Sequence, residues 1–367
     1  MIKPKILIVG SFPKPKKKIY GGIAKSCKLL IESNIFNDFK IIKLDSSQIS
    51  HPPPNFFIRL ILSVFRMIKF LIKLLIDKPN VVLIFCSDGA SSIEKGIMIF
   101  LSKLFNSKAV IFPRAGNLIN QVEDNYLFSL SIKFLFNKSD VFLCQGIKWK
   151  QFAINKLKIT PSKVKIINNW SATEDLLNIG ENRIISEEPK KIKILFVGWL
   201  EKAKGISQII QSFKRLIDKK NNIELIIVGD GSMKKELEKL LVQKKYRDKI
   251  KLKGWLNDKA LRQCYQDSDM FILPSWYEGM PNSLIEATAT GLPSISTDVG
   301  MVSDYYNDKE NMLIIDLKNQ NILTNSIEKL INDVNLRKNI AKNGMLVSKK
   351  IFSTKINLNK LSKIINE

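Results

Sequence analysis

The chain holds a single histidine, His51, among 367 residues, and it lies in a proline-rich loop before Pro52-Pro53-Pro54. Chemistry that needs a well-placed histidine general base is therefore hard to build on this chain. Cysteine is almost as scarce. Cys27, Cys86, Cys144 and Cys264 are isolated, with neither paired nor metal-type spacing. That excludes a disulfide framework and fits a reduced cytosolic compartment. No His/Cys/Asp cluster has ligand spacing, so a divalent metal is not expected. The first residues, Met1-Ile2-Lys3-Pro4-Lys5-Ile6, run straight into a strand without the apolar core of a signal peptide. Acidic residues are few: 34 against 59 Lys and Arg, for a formal net charge of +25. Neither a nucleic-acid recognition motif nor arginine–aromatic interleaving accompanies that charge, which argues against a nucleic-acid partner. An enzyme working at an anionic membrane surface would also be basic. Much of the lysine excess follows from the crowding of Lys, Ile and Asn that AT-rich genomes encode, but composition does not explain where the charges cluster.

What is present is ordinary globular material: 45% hydrophobic residues in a chain long enough for two domains. Short β-branched runs alternate with longer amphipathic segments. Strands are predicted at 5–10, 39–44, 81–86, 109–113, 141–144 and 163–168. Helices are predicted at 21–33, 57–76, 92–105, 126–136 and 148–156. Alternating β and α means a parallel sheet covered on both faces. Residues 171–191 are polar and irregular and read as a linker, after which the pattern restarts. Strands are predicted at 192–197, 224–228, 250–253, 270–273, 294–296 and 311–315, and a last helix over 350–367. The expected fold class is α/β, with an N-terminal Rossmann-like domain (1–170) and a second one (192–350).

The richest stretch is Leu273-Pro274-Ser275-Trp276-Tyr277-Glu278-Gly279-Met280-Pro281-Asn282-Ser283-Leu284-Ile285-Glu286-Ala287. It reads as strand, loop and helix, with Asn282 or Ser283 as cap and Pro281 at the entry. Gly291 and Pro293 end the helix. A helix N-terminus beyond a parallel strand offers N–H groups and positive partial charge to a phosphate. Glu278 and Glu286 flank that site, and carboxylates suit sugar hydroxyls rather than phosphate. The chemistry implied is the handling of a sugar attached to a phosphate. Elsewhere, Lys204 stands at a strand-to-helix turn, where its ammonium can meet a pyrophosphate. Gly229 and Gly231 form a second strand-end turn, and Trp255 follows Gly254 at the end of the next strand.

The ordered set Pro274-Ser275, Glu278-Gly279-x-Pro281, Glu286-Ala287 and Gly291-Leu292-Pro293 resembles the E-x7-E region of glycosyltransferase family 4, retaining enzymes of the GT-B fold. The resemblance implies two Rossmann-like domains with parallel sheets facing across a cleft, the last helix (351–367) crossing back to the first domain. It also implies transfer of a hexose or derivative from a nucleotide diphosphate sugar to an acceptor hydroxyl, with no further cofactor. Glu278 would contact the transferred sugar and Glu286 the ribose. Lys204, the turn Gly279, Met280, Pro281, Asn282 and Ser283 through the amides it offers, and the Gly21-Gly22 turn would hold the diphosphate, with Gly229, Gly231 and Trp255 around the nucleotide. Proline brings no amide hydrogen, so Pro281 serves by shaping the turn. Where the family commonly has an arginine after the opening glycine, this chain has Trp199; Lys202 is a partial substitute. Where many relatives place a first-domain histidine, it has Phe112-Pro113-Arg114-Ala115-Gly116-Asn117, so Arg114 or Asn117 takes the space beside the reacting sugar. Asp267-Ser268-Asp269 matches the metal signature of the other large glycosyltransferase fold, but it sits at a helix end entering a strand, on the wrong side of that strand from Glu278.

The family setting is bacterial surface polysaccharide, O-antigen, capsule or lipopolysaccharide, assembled on a lipid carrier. The expected partners are a nucleotide sugar, a glycan or lipid-linked acceptor and an anionic membrane surface, at the inner face of the cytoplasmic membrane. Membrane contact would draw on the loop Lys14, Lys16, Lys17, Lys18 and on a helix around 57–77. There Arg59, Arg66, Lys69 and Lys73 share one narrow arc; the helix is either a core helix with a thin polar solvent stripe or one lying in the membrane interface, with core favoured for most of it and the apolar faces beside the stripe able to touch lipid. Two other readings share the fold: a nucleotide-sugar 2-epimerase, whose acid–base set is hard to build with one histidine, and a donor-binding protein without turnover.

Overall fold

The structure, a computed structural model, describes residues 3–12, 21–50, 54–187, 189, 191–219, 222–319 and 321–367. His51 and the lysine-rich loop 14–18 lie outside the described residues. The chain divides into two compact units, Met1–Trp170 with Lys355–Glu367, and Ser171–Thr354.

The first unit runs β1 (Lys5–Gly10), α1 (Gly22–Glu32), β2 (Lys40–Asp45), α2 (Phe56–Asp77), β3 (Val81–Cys86), α3 (Ala90–Leu104), β4 (Lys108–Pro113), α4 (Asn117–Asp124), α5 (Tyr126–Phe136), β5 (Val141–Cys144), α6 (Ile147–Asn155) and β6 (Val164–Ile166). Its strands are parallel, in the order β2-β1-β3-β4-β5-β6. Every residue of β3 is buried, the signature of a strand covered on both faces. Phe85, Phe112 and Trp170 cluster with ring centroids 5.8 to 6.2 Å apart. The Trp170 indole N–H donates to the Ser26 carbonyl at 3.1 Å, tying α1 to this cluster.

The second unit runs α7 (Glu174–Glu181), β7 (Ile192–Val197), α8 (Ile206–Lys219), β8 (Ile223–Val228), α9 (Lys234–Leu241), α10 (Lys244–Arg247), β9 (Ile250–Gly254), α11 (Asp258–Asp267), β10 (Met270–Leu273), α12 (Asn282–Ala289), β11 (Ser294–Thr297), α13 (Val302–Tyr305), β12 (Leu313–Ile315), α14 (Ile322–Asn332) and α15 (Val334–Ile351). The parallel order is β12-β11-β10-β7-β8-β9. A last helix, α16 (Thr354–Asn366), places Leu358, Leu361, Ile364 and Ile365 in the core of the first unit.

Four expectations are corrected. Residues 171–191 are not an irregular linker: α7 buries Leu176 and Leu177, and packs on α12 and α15. Arg183 then fixes the segment by donating to the carbonyls of Tyr265, Ser268 and Thr290. The C-terminal segment is two helices rather than one from 350. The break at Phe352–Ser353 arises because Ala172 intervenes, donating to Phe352 O and accepting from Thr354 N. Helix α12 is capped by Pro281, with no side-chain cap, because the Asn282 carboxamide oxygen instead accepts from Ser171 Oγ at 2.7 Å.

The fourth concerns α2. It buries only Phe70 and Leu74, and its main neighbour is α3. At 100° per residue Arg66 falls on the same side as Phe70. Its Nε sits 3.2 Å from Glu94 on α3, which Lys95 also contacts at 3.1 Å. The carboxylate draws the basic arc to the inner margin of the helix. The apolar majority, not a polar stripe, faces outward.

Candidate functional site

In an open parallel sheet, ligands bind beyond the strand C-termini where the order reverses. In the second unit that point lies between β7 and β10. The loops following these two strands meet there. Trp276 N–H donates to Ala203 O at 2.8 Å. Gly205 has φ +72, and a Cβ on it would come within 1.9 Å of Pro274 O, so only glycine lets the loops approach this closely. From the other side, Met301 N–H donates to Gly279 O at 2.9 Å. Gly300, with φ +57, leaves the space that a Cβ would take from that same carbonyl. Thr297 Oγ1 donates to Ser275 O. The loop 275–281 is thus clamped between the β7 and β11 loops.

The clamp brings Lys204 and Glu278 into a 2.6 Å ion pair, with side chains 21% and 15% exposed. Ser275 Oγ donates to the same Glu278 oxygen at 3.1 Å. The sequence pattern points these residues to separate partners, the diphosphate and the sugar, whereas the fold pairs them with each other. Next to them begins α12. Geometry leaves its first N–H groups without intrahelical acceptors. Gly279, Met280 and Pro281 are buried, so Met280 shapes the turn while its side chain is inside. Two turns on, Glu286 is 5% exposed and accepts from Tyr265 Oη at 3.0 Å. Burial first, and the neighbouring carboxylate second, push the Tyr265 phenol well above its usual range. Tyr265 therefore stays a neutral donor that orients Glu286. Nothing in the sequence marks it, since it lies on α11, 21 residues away.

The neighbouring turn is less open than its glycines suggest. Gly229 N–H donates to Gly254 O and Gly231 N–H to Asp230 Oδ1. Glu201 accepts from both the amide and the hydroxyl of Ser232. The Gly229 and Gly231 amides are engaged within the protein, so these glycines offer close backbone approach rather than donors. Trp199 and Trp255 meet edge to face, centroids 4.9 Å apart. Trp276 and Tyr277 project at the rim, 44% and 60% exposed, and the sequence pattern assigns neither a role. Asp269 accepts from Lys193 N–H at 2.7 Å, which gives it a structural task at the opposite end of the sheet.

In the first unit, the order reverses between β1 and β3. Gly21 caps α1 and Gly22 is its first residue. The backbone of Gly21 is extended, and among the described residues a Cβ there would meet nothing within 4 Å. Arg114 follows β4 and stacks on Phe112 and Trp170, 4.8 and 5.2 Å from the ring centroids. Its Nη2 donates to Ser26 Oγ at 2.8 Å, while Nη1 is buried and has no partner among the described residues. Burial pulls the guanidinium down to about 10, so it is still a cation at neutral pH. Asn117 opens α4.

The second Rossmann-like unit thus carries a paired lysine and carboxylate at its switch point. The family model for glycosyl transferases group 1 matches residues 179–346. Protein CapJ of Staphylococcus aureus is 32% identical over 284 residues, 73% of this chain and 68% of that protein. The chain belongs to the group 1 glycosyltransferase family. A Campylobacter jejuni N-acetylgalactosaminyltransferase, named for a diphospho-undecaprenol-linked substrate, is 29% identical over 225 residues, 60% of this chain and 58% of that protein. Several matched relatives are covered over only 48% to 58% of their own length. Among solved structures, Anabaena HepE in complex with UDP and glucose superposes with TM-score 0.70 over 99% of this chain and 100% of that one, at 14% identity. The fold is that of the GT-B glycosyltransferases.

Proposed function

We propose that the protein is a retaining glycosyltransferase that moves a hexose or hexose derivative from a nucleotide diphosphate to an acceptor hydroxyl. The observation that carries this is the Lys204–Glu278 pair, held at the switch point beside the α12 N-terminus. An arriving diphosphate competes for Lys204. As the ammonium turns to the phosphate, the Glu278 carboxylate is released to accept from sugar hydroxyls. Lys204 and the first amides of α12 stabilise the charge that builds on the leaving diphosphate. Glu286, oriented by Tyr265, accepts from the ribose. Gly229, Gly231 and Trp255 border the nucleotide, and Arg114 supplies fixed positive charge in the first unit.

In the reaction, the bond between the anomeric carbon and the diphosphate oxygen breaks and a bond to the acceptor oxygen forms on the same face. The acceptor proton passes to the leaving diphosphate. The acceptor is a lipid-linked glycan of a bacterial surface polysaccharide, reached at the inner face of the cytoplasmic membrane. The printed substrate of the Campylobacter relative supports the lipid carrier, and the HepE complex supports UDP as the first nucleotide to test. A thermal-shift screen of nucleotide sugars, followed by assay of the hit for nucleoside diphosphate release, tests the reading. A donor that stabilises the protein and releases its nucleotide supports it. Absence of release with any donor and acceptor leaves only a binding protein.

A further inference from the structure

The outward side of α2 is almost wholly apolar. Phe57, Ile61, Val64, Phe65, Ile68 and Ile72 are all exposed, on the arc opposite the buried Phe70 and Leu74. The helix is 22 residues long, about 33 Å, yet no helix among the described residues is long and apolar enough to cross a membrane. Helix α3, which packs against both α2 and α5, exposes Ile97, Phe100 and Leu104 on one arc. Helix α5 exposes Tyr126, Leu127, Leu130 and Phe134, opposite its buried Ile132 and Phe136. An unburied apolar layer over three neighbouring helices is far more than scattered surface hydrophobics.

Charge says what covers it. The three helices carry two carboxylates, Asp77 and Glu94, and Glu94 is buried against Arg66 and Lys95. Among the described residues, Arg59, Lys69 and Lys73 form no ion pair, and Lys69 and Lys73 lie along one flank of the apolar arc. A second copy of this face would bring like charges together. We infer that α2, α3 and α5 form a docking face that lies in the interface of an anionic lipid bilayer, apolar side chains inserted and cations at the headgroups. The docking stands independently of turnover; it rests on the proposed function only for the location of the acceptor.

The test is flotation of the full chain with vesicles of phosphatidylcholine, alone or mixed equally with phosphatidylglycerol. Wild type is expected to float with the anionic vesicles, and a fraction should persist at high salt, because insertion is not screened as charge attraction is. I61E/F65E on α2 and L127E/F134E on α5 should each weaken partitioning by more than about tenfold, with UDP-induced thermal shift retained as the check on folding. K69S/K73S should lower binding to anionic vesicles and leave any binding to neutral ones unchanged. Wild type that fails to float, or variants that float as wild type does, would overturn the inference. So would a wild-type dimer that the same variants convert to monomer without any vesicle binding. A retained nucleotide shift with no flotation sinks the docking face alone; flotation without a thermal shift from any nucleotide sugar of the screen sinks the donor site alone.

Discussion

Lys204→Ala should do two separable things. The ion pair it breaks has a 2.6 Å separation and two side chains less than a quarter exposed. At an effective dielectric of about 20 the gross attraction is roughly 6 kcal/mol. Desolvation of both groups offsets most of that, leaving a coupling of about 1–3 kcal/mol. Among the described residues, Glu278 would keep only the Ser275 hydroxyl. Lys204→Ala and Glu278→Ala should therefore each destabilise the protein, and the double variant should be less unstable than the sum. Denaturant unfolding of the four members of the cycle measures this. Calorimetry on the same proteins tests the ligand. Loss of a charge-assisted contact should weaken UDP binding by about 1.5–3 kcal/mol, roughly tenfold to a hundredfold, while uridine binding changes little. Additive destabilisation together with equal losses for UDP and uridine would refute both the coupling and the placement of the lysine at the phosphates.

Glu278→Gln should lower turnover, whereas Glu286→Ala should mainly raise the donor KM, by about 1–3 kcal/mol in binding terms; wild-type kinetics in both would remove the two carboxylates from the site. Tyr265→Phe should shift the donor KM in the same direction as Glu286→Ala but less, because it loosens rather than deletes the acceptor, and steady-state kinetics decides. Activity should survive EDTA, since lysine and helix amides neutralise the diphosphate; loss on chelation with recovery on Mn²⁺ or Mg²⁺ would return attention to Asp267 and Asp269. Burial pushes the thiols of Cys27, Cys86 and Cys144 up to about 12, so Ellman's reagent near about pH 8 should reach only the partly exposed Cys264 until the protein is unfolded. Rapid reaction of all four in the native state would contradict that packing.

The strands were legible because a parallel sheet covered on both faces needs continuous apolar runs, such as Val81–Cys86 and Ile223–Val228. The loops after β7 and β10 were legible from their glycines and from the proline before α12. Helix α7 was not, since Leu176 and Leu177 are its only buried residues, too few to give a period. The Lys204–Glu278 pair joins positions 74 apart, and Glu286 meets Tyr265 through a buried contact; neither is encoded by local pattern. For α2, periodicity gave the arc of basic residues but not its direction. Which side faces in was decided by Glu94, a residue on another helix.

The most direct measurement is the fate of the anomeric centre. Once the screen yields a donor, its transfer to an acceptor can be followed by NMR through the one-bond carbon–proton coupling at the anomeric carbon. A product that keeps the anomeric configuration of the donor, with one nucleoside diphosphate released per bond formed, is what the account predicts. An inverted product, or a nucleotide sugar epimerised without release of nucleotide, would contradict it.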